Sequence, residues 1–209
     1  MSRPHAVRPT IAGVHLEGPF LGGAAGAHPV DQIVDLDLDW LAALPAHVRM
    51  MTLGAEQPLA TRAIELLVGS GRLVSIGHTT ASEDEFDAAV AAGARLTTHL
   101  FNGMSGAHHR TPGVAVFALT NASVSASLIA DGVHLHPRVV QLAFQTLGPE
   151  RAVLVTDAVA WRSGRVGDIG MALRDGAPRL PDGTLAGSAI TMDAAIRVCV
   201  TAGVPLESA

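Results

Sequence analysis

Glu17, His78, His99 and Asp157 are each the first polar residue to follow a short apolar run, and so are Glu56, His15 within the first run, and Asp131 with His134. In a parallel α/β architecture the carboxyl ends of the strands meet, and residues there share one site. Histidines and carboxylates buried at strand ends are costly unless an ion or a hydrogen-bond network compensates them. One such residue is ordinarily a satisfied core polar group, whereas several converging from separate strands call for a common partner. A carboxylate and two neutral imidazoles, as in Glu17, His78 and His99, suit a zinc-type site with a coordination position left for water. An ion so held acidifies its water and polarises a carbonyl oxygen. A nearby carboxylate must then take a proton from the water and give one to a leaving nitrogen, and Asp157, in Val155-Thr156-Asp157-Ala158, is placed for that shuttle.

The elements that must position these residues read as short apolar runs alternating with helical stretches. Strands are expected at Thr10–Leu16, Arg49–Leu53, Leu73–Ile76, Arg95–Thr98, Val124–Ala130 and Ala152–Val155. Amphipathic helices are expected at Leu38–Leu44, Pro58–Ser70, Ser82–Ala92, Pro137–Leu147 and Met192–Ala202. Ser82 followed by Glu85 is a capping-box signature, and Gly93 ends that helix. Strand and helix in repeated alternation imply a parallel sheet, because parallel strands need crossovers. A doubly wound nucleotide-binding sheet wants a glycine-rich loop directly after its first strand. Gly22-Gly23-Ala24-Ala25-Gly26 approaches that composition, but Glu17-Gly18-Pro19-Phe20 intervenes, and Pro removes a donor where a phosphate cradle needs one. After Asp157, the turn signals Asp175-Gly176 and Pro181-Asp182-Gly183 predict a hairpin before the last helix.

Composition narrows the function classes. A chain of 209 residues, 48% hydrophobic, suffices for one sizeable core, and a single domain over 1–209 is expected. The net charge of −5 argues against nucleic acid or an acidic membrane surface as partner. Aromatic residues are 3% and Tyr is absent, so no stacking platform for single strands exists. No apolar run reaches eighteen residues, Met1–His5 carries no apolar signal segment, and a soluble cytoplasmic protein is expected. Cys199 reads as a buried helical residue.

The chain resembles the N-acetylglucosamine-6-phosphate deacetylases. The segments that carry the resemblance are His15-Leu16-Glu17-Gly18-Pro19-Phe20, Gly77-His78-Thr79, Thr98-His99-Leu100-Phe101-Asn102-Gly103-Met104, Asp131-Gly132-Val133-His134, Val155-Thr156-Asp157-Ala158 and Leu185-Ala186-Gly187-Ser188. Gly26-Ala27-His28 and Arg110-Thr111-Pro112-Gly113 also match, and the family order is kept from about Thr10 to the end. The resemblance implies a (β/α)8 TIM barrel of the amidohydrolase type, here about six of its eight strands, without the small flanking β-domain. It implies Glu17, His78 and His99 as ligands of a divalent ion, with Zn favoured over Fe, Co, Mn or Cd, and Asp157 as general base and acid. His28 would help polarise the acetyl carbonyl. Ala27, Asn102, Gly103 and His134 would hold the phosphosugar, Leu185, Ala186 and Gly187 would lie along it, and Arg110 would reach the phosphate from the second subunit of a homodimer. Gly103 stands where the family usually has Ala, and Thr111 where it has an acidic residue.

Two rival readings follow from the same residues. Another amidohydrolase, acting on a cyclic amide or amidine, fits the metal set but leaves Asn102, Arg110 and His134 unused. An inactive fragment or degenerate copy fits the expected open barrel, which would expose apolar edges, but not the intact ligands and Asp157. The adjacent pair His108 and His109 is expected to point apart on a solvated loop. His136 before Pro137 is expected to begin a helix. His5 and His47 carry no signal, while Trp40 and Trp161 read as packing residues, the latter near enough to Asp157 for a pocket wall.

Overall fold

The computed structural model describes residues 10–166 and 168–209; Met1–His5 lie outside them. Six parallel strands form one sheet in chain order: β1 (Val14–Glu17), β2 (Val48–Leu53), β3 (Leu73–Ile76), β4 (Leu96–Thr97), β5 (Ser125–Leu128) and β6 (Ala152–Leu154). The crossovers carry α1 (Leu38–Ala42), α2 (Ala60–Gly69), α3 (Glu83–Ala91), α4 (Val114–Thr120) and α5 (Pro137–Leu147), and α6 (Met192–Thr201) follows β6. A doubly wound sheet reverses its strand order at a switch point. The unbroken sequence from β1 to β6 instead belongs to a TIM-barrel wall, with every helix on the same face.

That face is apolar. Met51, Leu53, Val74, Ile76, Ala126 and Leu128 point to it in register and are fully buried against Ala63, Ile64, Leu67, Phe86, Ala118, Val140 and Ala143 of the helices. Cys199 of α6 is also fully buried, and burial pushes its thiol pKa up. The opposite face begins with Glu17, Thr52 and Ser75, aligned across β1, β2 and β3. His15 lies on it too, its Nε2 2.8 Å from Thr52 Oγ1. Among the described residues β1 and β6 pair on one side only, and the edge residues Val14 and Val153 are exposed.

Local chemistry sets the element ends. Ser82 caps α3 by accepting from the Glu85 amide while Glu85 accepts from the Ser82 amide. His136 caps α5, its Nδ1 accepting from the Arg138 amide, with Pro137 in the first turn where no donor is needed. The turn at Asp175-Gly176 joins β9 (Ala172–Arg174) to β10 (Ala177–Arg179), and a second small hairpin, β7 (Arg165–Val166) with β8 (Ile169–Gly170), precedes it. Among the described residues no helix is long and apolar enough to cross a membrane.

Four expectations need correction. The first strand begins at Val14 rather than Thr10, because Val14 is the first residue to join β2, its amide donating to His47 O. The helix α4 falls where the periodicity predicts no element: Val114–Thr120 is apolar on nearly every side, which hides the helical period. A second hairpin accompanies the expected one. His108 and His109 do not point apart; their rings lie 4.6 Å centre to centre, since this exposed loop is not an extended strand.

Candidate metal and active site

Three ligand atoms converge where β1, β3 and β4 end. Glu17 Oε1 lies 3.0 Å from His99 Nε2 and 3.4 Å from His78 Nε2, and the two Nε2 atoms are 3.0 Å apart. The far side of each ring is fixed: His78 Nδ1 is 3.0 Å from Ala24 O and His99 Nδ1 is 3.0 Å from Asn102 O. A carbonyl can only accept, so each Nδ1 carries the proton and each neutral ring turns a lone pair inward. Three acceptors then face one another with no hydrogen between them, an arrangement that needs a positive charge at its centre. Tetrahedral ligands about 2.0–2.1 Å from an ion lie about 3.3 Å from each other, which matches the observed triangle. The donor set, one carboxylate oxygen and two imidazole nitrogens, fits a divalent ion of the zinc type.

His28 stands at the edge of this cluster. Its Nε2 is 3.9 Å from Glu17 Oε2, its ring meets His78 edge to face at 4.5 Å, and Glu17, His28 and His78 also bring ligand atoms within 4.8 Å of one another. The tighter triangle contains His99 instead. The electrostatics point the same way. Burial opposes ionisation of Glu17, but the two imidazoles facing it, His78 and His99, outweigh burial and hold its pKa far below the ordinary range. Burial favours neutral His99, yet Glu17 and Asp157 override it and raise its pKa. The cluster thus attracts positive charge. His28 is kept neutral, first by burial and then by His78.

Asp157 follows β6 on the same rim, where burial raises its pKa and His99, Glu17, His134 and His78 act on it electrostatically. His78, His99 and Asp157 all have positive φ, at 48°, 29° and 47°. A non-glycine residue held there costs on the order of 1–3 kcal/mol, and such strain collects at functional sites. The packing that holds Asp157 is visible: its carbonyl accepts from the Ser188 amide at 2.7 Å, the Ser188 hydroxyl donates to Thr156 O, and Val159 N donates to Ser188 O. This places the Leu185–Gly187 stretch against Asp157. Gly187 has no room for a side chain, since a Cβ would fall 2.7 Å from the Asp157 carbonyl oxygen.

A cavity of about 460 Å³ opens over these groups. Its lining holds Glu17, Ala27, His28, His78, His99, Asn102, Gly103, His134, Asp157, Leu185, Ala186 and Gly187, every site residue that the resemblance implies except Arg110, while the strand-end residues His15, Glu56 and Asp131 lie outside it. Arg110 is exposed on the loop of His108 and His109, outside the cavity. His134 reaches it with its Nδ1 2.7 Å from Asp131 Oδ2, so Asp131 orients the ring rather than lining the space. Burial opposes ionisation of Asp131, but hydrogen bonds from His134 and the Val133 amide outweigh it and lower its pKa.

Sequence reasoning missed the apolar wall, Phe101, Ile129, Val159, Ile169 and Met171; only the position of Phe101 within a recognised motif signalled any of it. Trp161 is not on the wall and stacks under Arg162, its ring centre 4.7 Å from the guanidinium carbon. Trp40 packs edge-on against Phe20. Glu56, expected at the strand-end cluster, lies apart from it and binds loop groups instead.

Comparison with known proteins follows this geometry. The N-acetylglucosamine-6-phosphate deacetylase of Lysinibacillus sphaericus is 37% identical over 204 residues, covering 93% of this chain and 53% of that protein. The N-acetylgalactosamine-6-phosphate deacetylase of Escherichia coli O157:H7 is 37% identical over 210 residues, covering 95% and 55%. Among solved structures, a mutant N-acetyl-D-glucosamine-6-phosphate deacetylase from Mycobacterium smegmatis, in complex with N-acetyl-D-glucosamine-6-phosphate, superposes with a TM-score of 0.87 at 36% identity, covering 93% and 54%. No protein-family model matches the chain. In sequence and fold this chain is therefore similar to the N-acetylglucosamine-6-phosphate deacetylases, and it spans about half the length of those it matches.

Proposed function

We propose that this chain carries the catalytic face of a metal-dependent deacetylase that hydrolyses N-acetylglucosamine 6-phosphate to glucosamine 6-phosphate and acetate. The observation that carries this reading is the triangle of Glu17 Oε1, His78 Nε2 and His99 Nε2 at 3.0–3.4 Å, with Asp157 on the same cavity. A divalent ion, Zn²⁺ in first place, supplies an acidified water and a polarised carbonyl when bound there.

The side chains do the rest. Asp157 takes a proton from the attacking water as its oxygen bonds to the acetyl carbon. Neutral His28 donates a hydrogen bond to the carbonyl oxygen as negative charge develops on it. The carbon–nitrogen bond then breaks, and Asp157 returns the proton to the departing amine. The backbone at Ala27 and Gly103, together with Asn102 and His134, holds the sugar, and Leu185, Ala186 and Gly187 close along it. Arg110, exposed on its loop, serves the phosphate of a partner subunit, which makes a homodimer the working form.

The equal identity to an N-acetylgalactosamine-6-phosphate deacetylase favours a second substrate, the C4 epimer, in the same pocket. Acetate release from each phosphosugar and from its unphosphorylated form, with added zinc, tests the reading. The expected result is release from a phosphorylated amino sugar that Asp157→Asn lowers by roughly 10²–10⁴-fold and that Arg110→Ala weakens chiefly through KM. Near-normal turnover by Asp157→Asn contradicts the role of Asp157. Absence of release by the unaltered chain contradicts the proposal itself and leaves the inactive-copy reading.

A further inference from the structure

Glu56 is the strand-end carboxylate that the reaction above leaves unused. Its Oε1 accepts from the Gly23 amide at 2.8 Å, from the Thr80 amide at 2.7 Å and from Thr80 Oγ1 at 3.3 Å, and its Oε2 accepts from Thr79 Oγ1. Gly23 belongs to the loop after β1, and Thr79 and Thr80 to the loop after β3. The carboxylate therefore sits between two loops and bonds both. Those loops meet again at His78: the Gly22 amide donates to His78 O at 2.7 Å, and Ala24 O accepts from His78 Nδ1. The loop from Gly22 to Ala24 thus grips His78 by backbone and ring, and Glu56 fixes that loop in place.

The glycines are shaped to this carboxylate. A Cβ at Gly22 would fall 2.1 Å from Glu56 Oε1, and one at Gly54 would fall 2.4 Å from the Gly22 nitrogen. The glycine-rich stretch after β1, which Pro19 already sets apart from a phosphate cradle in sequence, is thus a cradle for Glu56. These bonds also keep Glu56 ionised, outweighing the burial that opposes it.

We propose that Glu56 is a positioning residue for the metal centre, clamping the loops after β1 and β3 so that the loop's Ala24 carbonyl aims His78 Nε2 at the ion. The inference rests on the metal reading of Glu17, His78 and His99 given above. Groups that orient a metal-binding histidine typically change metal affinity about 10–100-fold when removed, and Glu56 acts on His78 through one carbonyl.

The test measures zinc affinity of the purified chain by competition with a chelator, beside amide hydrogen exchange at Gly23 and Thr80. Glu56→Ala should weaken zinc by about 10-fold and speed exchange at both amides. Glu56→Gln retains one acceptor for the amides and a donor for Thr79, and should restore most of the affinity. Gly22→Ala displaces the carboxylate from the other side and should reproduce the Glu56→Ala result, which keeps the test open if Glu56→Ala does not fold. Unchanged zinc affinity in folded Glu56→Ala, or unchanged exchange at Gly23 and Thr80, overturns the proposal. A clamp that serves stability alone would lower the melting temperature and leave the zinc affinity of the folded protein intact, which also overturns it. If the unaltered chain binds no zinc, the metal reading fails by itself, and with it the positioning role, whatever the exchange shows of the clamp.

Discussion

On the helix-facing side of the sheet, Val74, Ile76, Ala126 and Leu128 lie in regular register under apolar helices. Just beyond the ends of β3 and β4, His78 and His99 turn into left-handed backbone, and Asp157 does the same after β6. The first region is held by area removed from water, which no single contact dominates. The second is held by specific bonds: Ala24 O and Asn102 O on the two imidazoles, Ser188 against Asp157, and Glu56 between two loops. Stability and chemistry are therefore separable here, so substitutions in the two regions should fail in different assays.

Four substitutions sharpen that separation, from the largest effect downward. Asp157→Asn should lower kcat/KM roughly 10²–10⁴-fold, about 3–5 kcal/mol in the barrier, with zinc affinity and melting temperature nearly unchanged. A parallel loss of stability would break the separation. Phe86 in α3 is fully buried and packs near Phe117, so Phe86→Ala should cost about 3–5 kcal/mol in a denaturant titration. The fraction that remains folded should still bind zinc as tightly.

Asp131, which orients the His134 ring, adds a test through pH. Its folded pKa lies below the ordinary aspartate value of about 3.9. Its stabilisation is therefore fully present above that value and is lost as pH falls through the depressed folded pKa. Asp131→Asn should cost roughly 1.5–3 kcal/mol at neutral pH, and this deficit should shrink below about pH 4 in melts run across the acid range. A deficit constant with pH would contradict the sign. The smallest effect is expected at the capping box, where Ser82→Ala should cost about 1 kcal/mol with no change in turnover.

The same contrast explains what the sequence made legible. Apolar periodicity located each sheet strand, and Leu73–Ile76 and Pro137–Leu147 coincide with β3 and α5 to the residue. The Ser82–Glu85 signature is local chemistry and is borne out as a cap. Periodicity has nothing to report for α4, whose seven residues are almost uniformly apolar. The strand-end polar residues could be found by position, yet position alone did not separate Glu56, which braces loops, from Glu17, which faces His99. That distinction depends on two loops that lie together only in the folded chain. The pairing of Asp131 with His134 is similarly invisible in spacing, since it follows from how the turn after β5 folds back.

Crystals grown with zinc and measured at its absorption edge show whether one divalent ion sits within the Glu17, His78 and His99 triangle. One strong anomalous peak is expected about 2.0–2.2 Å from Glu17 Oε1, His78 Nε2 and His99 Nε2. Absence of a peak there, or an ion held by Glu17, His28 and His78 with His99 left out, would contradict it.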